Sequence, residues 1–296
     1  MSMVDHVTGG DLRQAAIWHG LWAVLPRPAP LAPVDQATAA GTGAGTGAPG
    51  EPMVGARRPL VVDAGGGSGG FAVPIAAAGY PVVVVDPSPD ALAALRRRVA
   101  EQGLGGRVTS IQGDLRDLTG IVGAGQADLL LCHSVLEIVD DPQSALAQAL
   151  GVLRPGGALS VVVAGLAAAV LARALAGQFE AALAALVEDM PPAHRPSGAD
   201  HSSSAAREPA VGRVPRRFTT AEAVALVQAA GAEVLDVHGV RIFADLVPGE
   251  RLPDALATRR LLRLELAAAG REPFRALAAQ LHVLARSPGG TGPHAR

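Results

Sequence analysis

From residue 60 onward, short unbroken apolar runs alternate with segments whose apolar residues recur every three or four positions. An unbroken run bounded by turn residues reads as a strand buried on both faces; the longer period reads as a helix packed along one side. Unbroken runs fall at residues 60–62 and 82–85; apolar segments with polar interruptions, also read as strands, fall at 108–111, 127–132, 158–163 and 233–243, with a last short one at 281–286. Helical spacing is clear at Leu92, Leu95 and Val99. That helix opens on Ser88-Pro89, an N-cap hydroxyl followed by proline at the first helical position, and Gly103 closes it. Asp141-Pro142 opens another helix, and Thr219-x-x-Glu222 is a capping box. Strands alternating with helices imply an α/β fold: a doubly wound, mostly parallel, Rossmann-like sheet covered on both faces.

The same patterning divides the chain. Residues 1–34 carry a helix over 12–25, ended by Pro26 and Pro28. Residues 35–57 are a Gly/Ala/Thr/Pro linker, expected to be flexible. The main domain runs over 58–287. It holds an insertion at 165–218, made of Ala-rich helices to about Met190 and then a Pro-, Ser-, His- and Arg-rich stretch; residues 288–296 are a disordered tail. The uncharged stretch 156–172 is short and weak for a membrane span and reads as a buried strand followed by a helix, so no membrane partner is expected.

Composition changes this picture little. All 25 basic residues are arginine, so any anion must be gripped by guanidinium groups or backbone N–H donors. A net charge of −2 advertises no nucleic acid globally. The single Cys132 excludes an intrachain disulfide and fits a reducing compartment; with no secretory leader pattern, a cytoplasmic location is expected. Nothing points to a metal.

The chemistry is concentrated in Asp63-Ala64-Gly65-Gly66-Gly67-Ser68-Gly69-Gly70 after the first strand: five glycines in six positions, then a helix. Glycine lets the backbone crowd a ligand, and the helix start presents unpaired N–H groups to it. Asp86 follows 21 residues after Gly65, at the end of the second strand, where this fold places a carboxylate on ribose hydroxyls. Gly113-Asp114-Leu115 follows the third strand and suits an adenine amine. Gly65-x-Gly67-x-x-Gly70 also fits the dinucleotide fingerprint, but an acid two residues before the first glycine is unwelcome to a pyrophosphate. Three acids around a glycine turn suit S-adenosylmethionine, which carries an amino acid, a ribose and an adenine but no phosphate.

These motifs, with Leu153-Arg154-Pro155-Gly156-Gly157, resemble the class I S-adenosylmethionine-dependent methyltransferases. More narrowly, the chain resembles the bacterial enzymes that methyl-esterify 5-carboxymethoxyuridine at the tRNA wobble position. The pieces that carry this are Gly10-Asp11-Leu12-Arg13-Gln14-Ala15, His133-Ser134-Val135-Leu136-Glu137, Gly239-Val240-Arg241-Ile242-Phe243, Leu264-Glu265-Leu266, Arg271-Glu272-Pro273-Phe274 and the ending 281–286. The resemblance covers 9–34 and 58–287. It implies that Arg13 meets the methionine carboxylate, that His133 lies near the cofactor, and that tRNA is the partner. Two places depart from the pattern. Val163-Ala164-Gly165 stands where family members have an aromatic-Asn pair, and Arg195, Arg207, Arg213 and Arg216-Arg217 replace a Lys-rich run.

A carboxylate acceptor is already ionised near neutral pH and needs no protein base. It needs a guanidinium to aim it, and Arg216, Arg217 and Arg241 are the candidates. No residue is assigned as a catalytic acid or base. Glu137 and Asp140-Asp141 read as an acidic cluster ahead of a helix. Three other functions fit parts of the pattern: a metabolite methyltransferase with the insertion as a lid, an NAD(P)-binding oxidoreductase, and a non-catalytic RNA- or protein-binding module.

Overall fold

The computed structural model describes residues 14–26, 58–188, 215–252 and 254–289. Its centre is a seven-stranded sheet in the order β3-β2-β1-β4-β5-β7-β6. The strands are β1 (Val61–Ala64), β2 (Val82–Asp86), β3 (Val108–Gln112), β4 (Ala127–His133), β5 (Leu153–Ala164), β6 (Glu233–Val240) and β7 (Gln280–Arg286). The first five pair in parallel, and β7 enters antiparallel between β5 and β6. The order in which strands are added reverses between β1 and β4, so the carboxyl ends of these two parallel strands open on one crevice, where open α/β sheets bind ligands.

The central strands are mostly apolar because both faces are covered; Asp63, Asp128, Ser160 and His282 are among their buried polar exceptions. On one face α1 (Ala15–Val24), α2 (Ala72–Ala77) and α3 (Pro89–Glu101) bury Ile17, Leu21, Ile75, Leu92 and Leu95 against β1, β2 and β4. On the other, α4 (Leu118–Val122), α5 (Pro142–Ala149) and α8 (Thr220–Ala229) bury Leu118, Leu146 and Val227. The caps fall where the residue types put them: Ser88 Oγ accepts from Ala91 N at 3.2 Å, Asp141 from Ser144 N at 3.1 Å, and Thr219 with Glu222 closes the capping box. Two helices follow β5, α6 (Leu166–Leu175) and α7 (Phe179–Glu188), and α9 (Ala255–Ala268) precedes β7. No helix among the described residues is long and apolar enough to cross a membrane.

Two strand ends and one helix depart most from the sequence expectation. β5 begins at Leu153, not 158, because Leu153 already pairs with Ala127 and the Gly156 and Gly157 backbones bond Ser287. β6 stops at Val240, not 243, because Arg241 turns to φ 60°. The segment 255–268 is a helix with no counterpart in the sequence reading. Its buried stripe is Leu261, Glu265 and Ala268, and a carboxylate in the stripe masks the period. The expected linker at 35–57 lies outside the described residues, as do most of the tail and the Pro/Ser/Arg-rich part of the insertion.

Candidate functional site

At the end of β1 the chain turns through Gly65 and Gly67, whose φ values of 70° and 53° only glycine adopts without strain. Gly66 answers a different constraint: a Cβ there would lie 2.6 Å from the Asp63 carboxylate. The bare backbone lets that carboxylate tuck beneath the loop. Asp63 is 2% exposed and its Oδ2 has no hydrogen-bond partner among the described residues. Burial, and then the charge of Asp86, push its pKa up to about 7. A buried carboxylate with an unsatisfied oxygen is stabilised as an anion when a cationic group comes to it.

Asp86 at the end of β2 braces the same loop. Its Oδ2 accepts from Gly67 N at 2.9 Å and its Oδ1 from Ser88 N at 2.8 Å. A carboxylate has about four acceptor positions, so two remain for a ligand. Asp114, after β3, is more exposed. It caps the turn Leu115–Asp117 by accepting from Arg116 N at 2.9 Å and pairs with the Arg116 guanidinium at 3.1 Å; these contacts hold its carboxyl below the usual range. The Leu115 side chain is buried in the core.

A pocket of about 220 Å³ opens over Asp63 and Gly66, walled by Gln14 at the start of α1, Ile17 within it, Phe71 and His133. Gly67, Asp86 and Asp114 lie outside its walls, in order along the carboxyl ends of β1, β2 and β3. His133, the last residue of β4, meets Phe71 edge-on with ring centroids 4.5 Å apart, and Phe71 in turn meets Trp18 of α1 at 5.0 Å. Burial pushes the His133 imidazole down to about 3, so it is neutral. Arg13 lies outside the described residues; its neighbour Gln14 lines the pocket.

A second, larger cavity of about 770 Å³ shares Ser134 and Gln280 with the first. Its walls are mostly aliphatic, drawn from α6, Ile242 and Leu246, and none of its lining residues is aromatic. Four charged residues reach it: Glu137, Arg217, Arg241 and Asp245. Residues 215–218 run extended past the end of β5, with Arg216 N bonded to Glu137 O and Phe218 N to Ala164 O, both at 2.9 Å. Alternation along an extended segment sends the two arginines opposite ways. Arg216 turns to the carbonyls of Leu136 and Val139, at 3.5 and 3.3 Å, and does not line the cavity. Arg217 lines it, with a buried Nε that has no partner among the described residues. Arg241 lines it too, but its guanidinium is paired in a fork with Asp245.

Two residues act here in ways the sequence did not signal. Glu137 is not part of an exposed acidic cluster: it is buried, and its Oε1 accepts from Ala164 N at 2.9 Å, tying the loop after β4 to the end of β5. Burial raises its pKa. Glu265, also buried, accepts from the amides of Ile242, Phe243 and Ala244 at 2.7–2.9 Å and so fixes the loop that carries Arg241. An acid within a helix's apolar stripe is the signal that could have found it. Arg195, Arg207 and Arg213 lie outside the described residues.

Residues 62–161 match the Methyltransf_11 family, a methyltransferase domain. The tRNA 5-carboxymethoxyuridine methyltransferase of Escherichia coli K12 is 27% identical over 281 residues, 95% of this chain and 90% of that protein. The enzyme of the same description from Escherichia coli O157:H7 matches to the same extent. Among solved structures, an S-adenosylmethionine-dependent methyltransferase from Mesorhizobium loti shares the fold, with a TM-score of 0.50 at 16% identity over 93% of this chain and 100% of that one.

Proposed function

We propose that this chain, an S-adenosylmethionine-dependent methyltransferase, methyl-esterifies a carboxylate, that of 5-carboxymethoxyuridine in tRNA, the nucleoside in the name of its Escherichia coli relative. The observation that carries this reading is Arg217, whose side chain lines the cavity that adjoins the cofactor pocket. Arginine's planar fork matches a carboxylate, and the match orients the acceptor oxygen.

The cofactor supplies a methyl group on a sulfonium, already activated. In our reading the Asp63 carboxylate takes the cofactor's ammonium, Asp86 its ribose hydroxyls, and Asp114 with the Leu115 backbone its adenine edge. The glycines at 65–67 allow close approach, and Arg13 and His133 complete the methionine end. The acceptor oxygen forms the new C–O bond as the methyl–sulfur bond breaks and its electron pair stays on sulfur. No proton moves, so rate enhancement comes from placement, not from a protein base. A tRNA acceptor sets the reaction in the cytoplasm.

One observation favours a second reading. The cavity walls are mostly aliphatic and none of the described lining residues is aromatic, so among them no ring stacks on a base as proteins that bind splayed-out nucleotides commonly provide. A small aliphatic acid would also fit. Mass spectrometry of tRNA nucleosides from a strain lacking the gene separates the two. The tRNA reading expects the methyl ester to disappear and the free acid to accumulate; an unchanged nucleoside profile sends the search to metabolites.

Asp63 makes cofactor binding depend on pH. Its raised pKa means that below about 7 the site holds a proton that must leave before a cation can be paired. The affinity for S-adenosylmethionine is therefore expected to rise with pH through about 7 and level off above it. At lower pH the dissociation constant should change by up to about tenfold per unit, the limit for one coupled proton. The same shift acts on folding with a definite sign. The unfolded carboxyl titrates near 3.8, so Asp63's contribution to stability is full below that pH and is lost as pH rises through about 7. Calorimetric titration from pH 5.5 to 8.5 measures the binding slope. Asp63→Asn should bind weakly and without the slope; an equal slope in that variant would put the titrating group elsewhere.

A further inference from the structure

Ser160 of β5 interrupts an otherwise apolar run and is fully buried between two histidines. Its Oγ is 2.8 Å from Nε2 of His133 on β4 and 2.9 Å from Nε2 of His282 on β7. The three side chains form a hydrogen-bonded row across the middle of the sheet, where each polar group carries a desolvation cost that only its partners offset. The row begins at the cofactor pocket, which His133 lines, and ends against α1, where a Cβ on Gly20 would sit 2.9 Å from His282 Cε1.

A serine hydroxyl has one proton, so it donates to one imidazole and accepts from the other. Burial holds both rings neutral. Two arrangements therefore exist. In one, His133 Nε2–H donates to Ser160 and Ser160 donates to His282, which leaves a lone pair on His133 Nδ1. In the other every donor is reversed and His133 carries its proton on Nδ1. Neither Nδ1, of His133 or of His282, has a partner among the described residues, so contacts within the protein do not choose between the two arrangements. The ligand does. His133 shares its pocket with the unsatisfied Asp63 carboxylate, and a positively charged ligand favours a lone pair over an N–H.

We propose that Ser160 and His282 are positioning residues that hold His133 as the Nε2–H tautomer, so that its buried Nδ1 presents a lone pair, not an N–H, beside the pocket of the cationic cofactor. The proposal rests on the cofactor and is independent of the acceptor. Neither residue touches the pocket; both act through the orientation and protonation of His133.

Nitrogen-15 NMR of histidine-labelled protein with S-adenosylmethionine bound tests this, with the His133 signals assigned by their loss in His133→Gln. The expected wild-type result is an unprotonated Nδ1 and a protonated Nε2 on His133. Ser160→Ala removes the hydroxyl at almost no change in volume. It should mix the two tautomers and weaken S-adenosylmethionine binding about fivefold to tenfold, and should lower the thermal midpoint of the cofactor-free protein, since both buried Nε2 atoms lose their partner. Ser160→Thr, which restores the hydroxyl, should recover the single tautomer, and His282→Phe should behave like Ser160→Ala. A proton on His133 Nδ1 in the bound wild type would overturn the proposal. So would a Ser160→Ala variant that changes tautomer yet binds the cofactor within twofold of wild type, which would leave the row as packing alone.

Discussion

Replacing Asp86 with alanine is expected to raise the dissociation constant for S-adenosylmethionine about 10–100-fold while the protein stays folded. A hydrogen bond to a charged acceptor contributes roughly 1.5–3 kcal/mol, and each ~1.4 kcal/mol is a factor of ten in affinity. Two such bonds to ribose hydroxyls would give more than this range, but the loop relaxes and recovers part of the loss. The relaxation has a definite origin: Gly67 N and Ser88 N lose their acceptor together with the ligand. The fold should persist because Asp86 lies at the sheet's carboxyl edge, and the strand pairing beneath it is made by backbone. Calorimetry, with circular dichroism as the check on folding, reads the effect. An unchanged dissociation constant would place the ribose away from β2.

Arg217→Ala is expected to lower acceptor kcat/KM by about 10–100-fold, the loss of one charge-assisted hydrogen bond at roughly 1.5–3 kcal/mol, with cofactor affinity unchanged. Its neighbour supplies the control. Arg216 faces the carbonyls of Leu136 and Val139, so Arg216→Ala should reduce thermal stability and affect the acceptor only through the loop. Arg217→Lys keeps the charge but loses the planar fork and should recover only part of the activity. If the acceptor is tRNA, the wild-type rate should also fall steeply with salt, because phosphate contacts release counterions. Equal rates for wild type and Arg217→Ala would remove the arginine from the acceptor site.

The parts of the fold legible in the sequence are those written in local signals. Val82-Val83-Val84-Val85 reads as a strand because both its faces are covered, and Ser88-Pro89 and Thr219-x-x-Glu222 fix helix starts through a few neighbouring atoms. The glycine turn and Asp86 are legible for the same reason: spacing along one βα unit places them in space. What stayed hidden depends on distant pairings. Glu265 looks like one more surface acid until its helix carries it under the loop at 242–244. The pairing of Ser160 with His282 spans 122 positions and exists only because β7 inserts beside β5. Arg216 and Arg217 are indistinguishable as a dipeptide, and only the extended path past Ala164 sends one to the loop and the other to the cavity.

The most direct test of carboxylate methylation is the chemistry of the product bond. Purified protein is incubated with methyl-tritiated S-adenosylmethionine and tRNA carrying free 5-carboxymethoxyuridine, and the recovered tRNA is treated with mild alkali. A methyl ester hydrolyses under these conditions and releases its label as volatile methanol, whereas a methyl on a ring nitrogen, an amine or a sugar hydroxyl stays in the RNA. The expected result is label on the tRNA that alkali converts to methanol, and that is largely absent with Arg217→Ala. Label that resists alkali would contradict a carboxylate acceptor.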